Sequence, residues 1–268
     1  MIAPVDGLPA RYRLRHLAET DSTNAEAMRR ALSGERGPLW VLADKQTAGR
    51  GRSGRTWISG PGNLFASLLI ETGCPIAKAG QLSLVAGVAA IDAIRKAGPL
   101  SGATLRLKWP NDLLIGQAKA GGILVESSSR GAGEGRIAVI GVGLNLASAP
   151  PDLEPGATNL AVHGLSLSPH EALCFLADTM DLCIKTWNEG AGFAAIRTSW
   201  LQRAGPVGEP LTVHAPEGAV EGRFAGLDEE GALLIAVAGG GERRFNYGDV
   251  TLQGPRPDSE GGKDDGSR

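Results

Sequence analysis

Cysteine, histidine, net charge and long apolar runs are all scarce in this 268-residue chain, and each scarcity excludes something. The three cysteines, Cys74, Cys174 and Cys183, are spaced for neither a disulfide framework nor a zinc site. They read as buried thiols of a reduced compartment. The four histidines, His16, His163, His170 and His214, fall into no catalytic arrangement and read as surface or capping residues. No stretch stays apolar long enough to cross a bilayer, and the N-terminus lacks the apolar segment of a signal peptide. The expectation is a soluble cytoplasmic protein. A formal net charge of −2 sets up no global field for nucleic acid or an anionic membrane, so any anion must be held by a local cluster. No repeat of fixed period is visible.

What is present is a core and a great deal of glycine. With 42% hydrophobic residues, the chain can build one good core and two unequal domains. The 39 glycines concentrate in loops such as Gly49 to Gly54, Gly121-Gly122 and Gly141 to Gly143, where positive φ or close approach to a ligand is expected. The apolar spacing predicts a helix from Ser22-Thr23 to Gly34, with Thr23 and Glu26 as a capping box. A strand over Leu39 to Ala43 follows, then a long loop from Lys45 to Gly62 of the kind that is functional or mobile. Leu64 to Ile70 returns to strand. Gln81 to Lys96 reads as a helix with the stripe Leu84, Val88, Ile91 and Ile94. Strands are expected at Thr104 to Trp109, Gly121 to Glu126 and Arg136 to Val142. A second long helix opens at Ser168-Pro169-His170-Glu171. Beyond Gly205, five short alternating runs suggest a small all-β module. The expected organisation is a mixed α+β domain over residues 1–204, a small β-barrel over 205–253, and a disordered polar tail over 254–268.

The most informative segment runs from Gln46 to Trp57. Lys45, Arg50, Arg52 and Arg55 cluster there, and no acid occurs between Asp44 and Glu71. Guanidinium groups bind carboxylate and phosphate in bidentate fashion, and the glycines leave backbone N–H groups free to join them. Such a loop is a lid for an anionic nucleotide, set against the plainer reading of a solvated basic loop. Gly49, Gly51 and Gly54 also match the dinucleotide fingerprint, and Gly49 to Thr56 comes within one residue of a P-loop. Both need a helix to follow, and Ile58-Ser59-Gly60-Pro61-Gly62 cannot start one.

Three weaker clusters accompany the loop. Lys108-Trp109-Pro110-Asn111-Asp112 is a forced turn at a strand end, where Asn111 and Asp112 either merely turn the chain or face a ligand and its magnesium ion. Lys119 precedes the pair Gly121-Gly122 and is either a solvated charge or a group reaching a carboxylate or α-phosphate. Ser22-Thr23-Asn24 is a helix start that also suits a polar ligand end.

In this order, Asp21-Ser22-Thr23-Asn24, the Gln46 to Trp57 string, Lys108 to Asp112, Lys119 to Glu126 and Gly141-Val142-Gly143-Leu144-Asn145 resemble the biotin–protein ligase family. The resemblance extends from about Leu14 to Leu252. It implies a mixed β-sheet with packed helices, shared with lipoate ligases and class II aminoacyl-tRNA synthetases, followed by an SH3-like barrel. It also implies formation of biotinyl-5′-AMP from biotin and ATP with Mg2+, then transfer to a lysine of a biotin carboxyl carrier protein. By resemblance, Ser22, Thr23, Asn24, Gln46, Gly122 and Gly141 hold biotin. Gly49, Arg50, Gly51 and Arg52 order over biotin and the adenylate phosphate. Arg55, Trp57, Asn111, Asp112 and Asn145 serve the nucleotide, Asp112 with the magnesium ion and as a candidate base, and Lys119 contacts both carboxylate and phosphate. Too few residues precede Ser22 for the winged helix-turn-helix of the family's transcriptional repressors, so a monofunctional ligase without a nucleic-acid partner is expected. Homodimerisation is left open. The competing readings are a lipoate or octanoate ligase on the same scaffold, and a non-catalytic biotin sensor or corepressor.

Overall fold

Alternation on both faces of a central strand explains how the larger sheet is built. In β2, Leu39–Gln46, the run Leu39 to Ala43 is continuously apolar because both faces are covered. Trp40 and Leu42 face one core, and Leu39 and Val41 face another. The computed structural model describes residues 7–58, 60–75, 78–129, 136–151 and 156–253. The tail expected to be disordered, 254–268, lies outside them.

The larger sheet comprises β1 (Arg13–Thr20), β2, β3 (Leu64–Thr72), β4 (Leu105–Lys108), β5 (Asp112–Ile115), β6 (Ala118–Ser129) and β7 (Arg136–Leu144), in the order β1-β2-β3-β7-β6-β5-β4. Only the β1–β2 pairing is parallel; the other five are antiparallel. The helices α2 (Gln81–Ala97) and α3 (Pro169–Trp187) join the large core on one face, and α1 (Thr23–Leu32) covers the other. A short helix α4 (Phe193–Leu201) leads into β8 (Pro210–Ala215), β9 (Gly218–Leu227), β10 (Leu233–Ala236), β11 (Glu242–Phe245) and β12 (Asp249–Leu252). These five form an antiparallel sheet ordered β11-β10-β9-β8-β12. The mixed α+β architecture with a small all-β module is therefore observed. No helix among the described residues is long and apolar enough to cross a membrane.

Several sequence readings need correction. β2 continues to Gln46 rather than stopping at Ala43, because Lys45 and Gln46 pair with Glu19 and Thr20 of β1. β1 itself, polar and at the sheet edge, shows no apolar alternation and was not expected; neither were β5 and α4. The cap of α1 is Ser22, whose hydroxyl lies 3.5 Å from the Ala25 N–H. Thr23 instead bonds Gln46, and Glu26 pairs with Arg29 and Arg30, so the Thr23–Glu26 box does not form. At Ser168 and Glu171 the expected capping box is complete.

The barrel is locked onto the sheet beside the end of β4. Arg106 and Glu209, both mostly buried, pair at 2.6 Å. The Trp109 indole donates to the Gly231 carbonyl at 3.1 Å, and Lys108 donates to the Val250 carbonyl at 2.9 Å. These contacts bring β12 alongside the mouth of a cleft in the sheet.

Candidate active site

The cleft, of about 260 Å³, opens where the start of α1, the ends of β2 and β5, and the middle of β6 and β7 converge. Ser22, Thr23, Asn24, Gln46, Arg50, Gly51, Arg52, Arg55, Trp57, Asn111, Asp112, Lys119, Gly122, Gly141 and Asn145 all line it. Of the residues to which the resemblance gives a role, Gly49 alone does not, and Lys45 of the cationic cluster pairs instead with Glu19 on the exposed sheet edge. Gly49 closes the loop, its carbonyl accepting from the Trp57 N–H at 2.9 Å while the chain crosses so tightly that a Cβ would meet the Trp57 carbonyl at 2.5 Å.

The floor is a buried polar patch at the start of α1. Gln46 Oε1 accepts from the Thr23 N–H at 2.8 Å and from its hydroxyl at 3.2 Å. The Ser67 hydroxyl lies 2.8 Å from Thr23 Oγ1 and 2.6 Å from Asn24 Oδ1. Ser67 was legible as the one polar residue inside the apolar run Leu64 to Ile70, a signal that sequence reasoning passed over.

The glycines of β6 and β7 act through close packing rather than through positive φ; Gly121, Gly122, Gly141 and Gly143 are absent from the positive-φ positions. Gly122 and Gly143 are register partners and together make a flat shelf for the Trp57 ring. A Cβ on Gly143 would stand 2.7 Å from that ring, and one on Gly141 would stand 2.2 Å from Asn24 Oδ1. Gly141→Ala is therefore expected to displace Asn24 and weaken ligand binding at the floor by about tenfold, the loss of a hydrogen bond or two. Titration calorimetry with biotin, the ligand that the sequence resemblance implies, reads this, and unaltered affinity in the folded variant contradicts the expectation. The Trp57 indole N–H is buried with no partner among the described residues, leaving one unmatched donor at the cleft.

The wall is electrostatic. Asp112, at the start of β5, pairs through Oδ1 with Lys119 at 2.5 Å and through Oδ2 with Lys108 at 2.9 Å. Burial alone would raise the Asp112 carboxyl, but the Lys119 and Lys108 ammonium groups outweigh it and hold it below the usual carboxylate range. A carboxylate so stabilised is a poor base. With an ammonium on each oxygen it also offers a magnesium ion a locally cationic rather than a negative field. The metal-ligand and base readings of Asp112 do not fit this arrangement; it positions two lysines. Asp112→Asn leaves two ammonium groups facing each other in a buried place, and a loss of about 3 kcal/mol is expected. Because the folded carboxyl titrates lower than the unfolded one, this contribution is present above the ordinary carboxylate range and disappears as pH falls through the folded value. The stability difference from wild type should thus shrink on acidification in chemical denaturation, and a pH-independent difference contradicts it.

The roof is the arginine-glycine loop, which makes a single 3₁₀ turn at Arg52–Gly54 with Ser53 at φ 54° and no following helix. Arg52 donates to Asn111 Oδ1 at 3.3 Å and to the Gly248 carbonyl at 3.2 Å, and lies 3.5 Å from Asp249. Arg55 pairs with the same Asp249 at 2.8 Å. Burial pushes the Arg52 guanidinium down from its ordinary value, and Asp249 partly offsets this. Asp249 to Leu252 of the barrel thus complete the cleft. Nothing in the sequence near the loop announces them, since nearly two hundred positions separate them from it. Lys119 is held by backbone pairing with Gly156 and Thr158, and the Asn145 amide bonds the Thr158 carbonyl. Its ammonium lies 5.7 Å from the Trp57 ring centre.

The chain is similar to known proteins over most of its length. Residues 17–145 match the model of the biotin/lipoate A/B protein ligase family, and residues 207–252 match that of the biotin protein ligase C terminal domain. A biotin–[acetyl-CoA-carboxylase] ligase of Paracoccus denitrificans is 43% identical over 229 residues, 82% of this chain and 92% of that one. A protein of the same name from Mycobacterium tuberculosis is 33% identical over 232 residues, 83% of each chain. Among solved structures, a biotin protein ligase from Aquifex aeolicus in complex with biotin and ATP superposes with a TM-score of 0.72 at 27% identity, covering 90% of this chain and 98% of the other.

Proposed function

The chain belongs to the biotin/lipoate A/B protein ligase family and, within it, to the biotin protein ligases, and from that premise we propose how its cleft makes and holds an acyl-adenylate. The activity is ATP-dependent ligation of biotin. A biotin carboxylate oxygen attacks the α-phosphorus of ATP, the bond to the β-phosphate bridging oxygen breaks, and pyrophosphate leaves. An acceptor lysine amine then attacks the acyl carbon, AMP departs, and the amine loses its proton to solvent or to phosphate.

The observation that carries the residue assignments is a gradient of chemistry along one cleft. Ser22, Thr23, Asn24 and Gln46 form the polar patch, Arg50 reaches across to Glu126 beside Asn24, and Arg52, Arg55 and Lys119 stand over the Asn111, Asp112 and Asp249 side of the cleft. A neutral head group with N–H donors and a carbonyl suits the polar patch, and a carboxylate meeting a triphosphate suits the side of Arg52, Arg55 and Lys119. The two reactants are both anionic, so the first task is neutralising charge at the pentacoordinate phosphorus. Lys119 supplies a point charge aimed by its pairing with one Asp112 oxygen, while Lys108 occupies the other oxygen. Magnesium arrives with the phosphates as part of the nucleotide substrate. Closure of the arginine-glycine loop keeps water from the mixed anhydride.

The acceptor we assign is the carboxyl carrier domain of a biotin-dependent carboxylase, in the cytoplasm where ATP and that domain meet. Residues 1–204 would be the catalytic unit, with 205–253 closing its nucleotide end. Pyrophosphate exchange into ATP tests the reading. Exchange should depend on biotin and remain at background with lipoate or octanoate, and exchange supported equally by lipoate would contradict it.

A further inference from the structure

Glu126 belongs neither to the polar floor nor to the cationic roof, yet it touches both. It sits on β6, and its Oε2 atom accepts from the Asn24 amide at 2.8 Å and from the Arg50 guanidinium at 2.9 Å. Asn24 is almost fully buried, its amide also held by the Leu124 carbonyl at 3.1 Å. Arg50 is half exposed and rides on the loop. One carboxylate oxygen therefore joins a fixed floor residue to a loop residue. Behind Asn24 the contacts run on without a gap through Ser67 to Thr23 and Gln46.

A solvated ion pair between Arg50 and Glu126 would by itself contribute little. What distinguishes this one is that the acceptor atom is shared. Both Asn24 amide N–H groups are committed, one to Leu124 and one to Glu126. A ligand donor that adds a second bond to Asn24 Oδ1 polarises and steadies the same side chain, and a steadied Glu126 lowers the entropy cost of holding Arg50 over the ligand. The coupling needs no movement of the sheet.

We propose that Glu126 is a positioning residue through which occupancy of the biotin floor sets the order of the arginine-glycine loop, an inference that rests on the biotin-ligase reading and deepens it. Glu126 touches neither reacting atom. Its effect is on how long the ligand stays and how well the loop covers it.

The test uses the full chain, with Glu126→Gln, Arg50→Gln and the double variant. Glutamine keeps an acceptor for Asn24 but removes the charge that holds Arg50. Tryptic cleavage within the loop is measured with and without biotin, and biotin release is followed by tryptophan fluorescence. Biotin should protect the wild-type loop. Glu126→Gln should lose most of that protection and release biotin about tenfold faster, as expected for one charge-assisted hydrogen bond. Its melting temperature should stay at the wild-type value, since the pair lies at the surface. Arg50→Gln should reproduce the loss from the loop side, and the double variant should be no worse than the more impaired single.

Protection undiminished in both single variants, or losses that add in the double, overturns the coupling. Biotin that binds but leaves the wild-type loop unprotected likewise overturns the coupling, whereas biotin that leaves the tryptophan fluorescence unchanged overturns the ligase reading itself, which separates the two failures.

Discussion

Replacing Lys119 by alanine should lower biotin-dependent ATP–pyrophosphate exchange by about two orders of magnitude or more, the usual cost of removing one preorganised charge from a reacting centre. Lys119 lines the cleft from a largely buried position: three-quarters of its side chain is buried, and its ammonium sits 2.5 Å from Asp112 and 5.7 Å from the Trp57 ring centre. Lys108 cannot stand in for it, being tied to the Val250 carbonyl as well as to Asp112. The deficit should fall mainly on kcat, because the charge matters most when negative charge accumulates on the α-phosphate. Lys119→Arg should not restore full activity, since a planar fork cannot occupy the place of a compact ammonium between Asp112 and the shelf of Gly122. Near-normal exchange in folded Lys119→Ala protein would refute the role.

Arg52→Ala should cause a loss of similar size, about a hundredfold in exchange, with a different signature. Arg52 is the most buried arginine of the loop, and its guanidinium spans Asn111 of the catalytic sheet and the Gly248 carbonyl and Asp249 of the barrel. Removing it loosens the loop and takes away a seam between the two sheets. The deficit should therefore include faster escape of the adenylate, read as free AMP and biotin accumulating per turnover. Burial pushes this group down from its ordinary value, yet an arginine starts so high that it stays protonated near neutrality. Exchange should accordingly show no titration attributable to Arg52 between mildly acidic and mildly alkaline pH. Retention of the adenylate by Arg52→Ala equal to wild type would contradict its place in the lid.

Much of this site could be read from the sequence because its chemistry is packed into short strings. The arginines of the loop, the Lys108 to Asp112 turn and the Lys119 to Glu126 strand each announce themselves by residue type at close spacing, and the fold brings them to one cleft. What escaped reading depends on contacts distant in sequence. β1 is polar on its exposed edge and becomes a strand only because β2 offers a parallel partner. β5 is four residues long and is paired on both sides by β4 and β6. Asp249 gains meaning only when the barrel docks beside Arg52 and Arg55. The role of Asp112 also needed coordinates: a lone aspartate after a proline turn looks like a metal ligand or base until two lysines are found on its oxygens. The glycines illustrate the same limit. Their clustering signalled close approach, while the structure shows that the approaching groups are Trp57 and Asn24 of the chain itself.

The most direct measurement is the intact mass of a purified biotin carboxyl carrier domain after incubation with this protein, biotin and MgATP. One biotinyl group should be added, on a single lysine, only when both biotin and ATP are present. A carrier domain that gains no mass in the complete mixture, or that gains a lipoyl or octanoyl group when those acids replace biotin, would contradict the assignment.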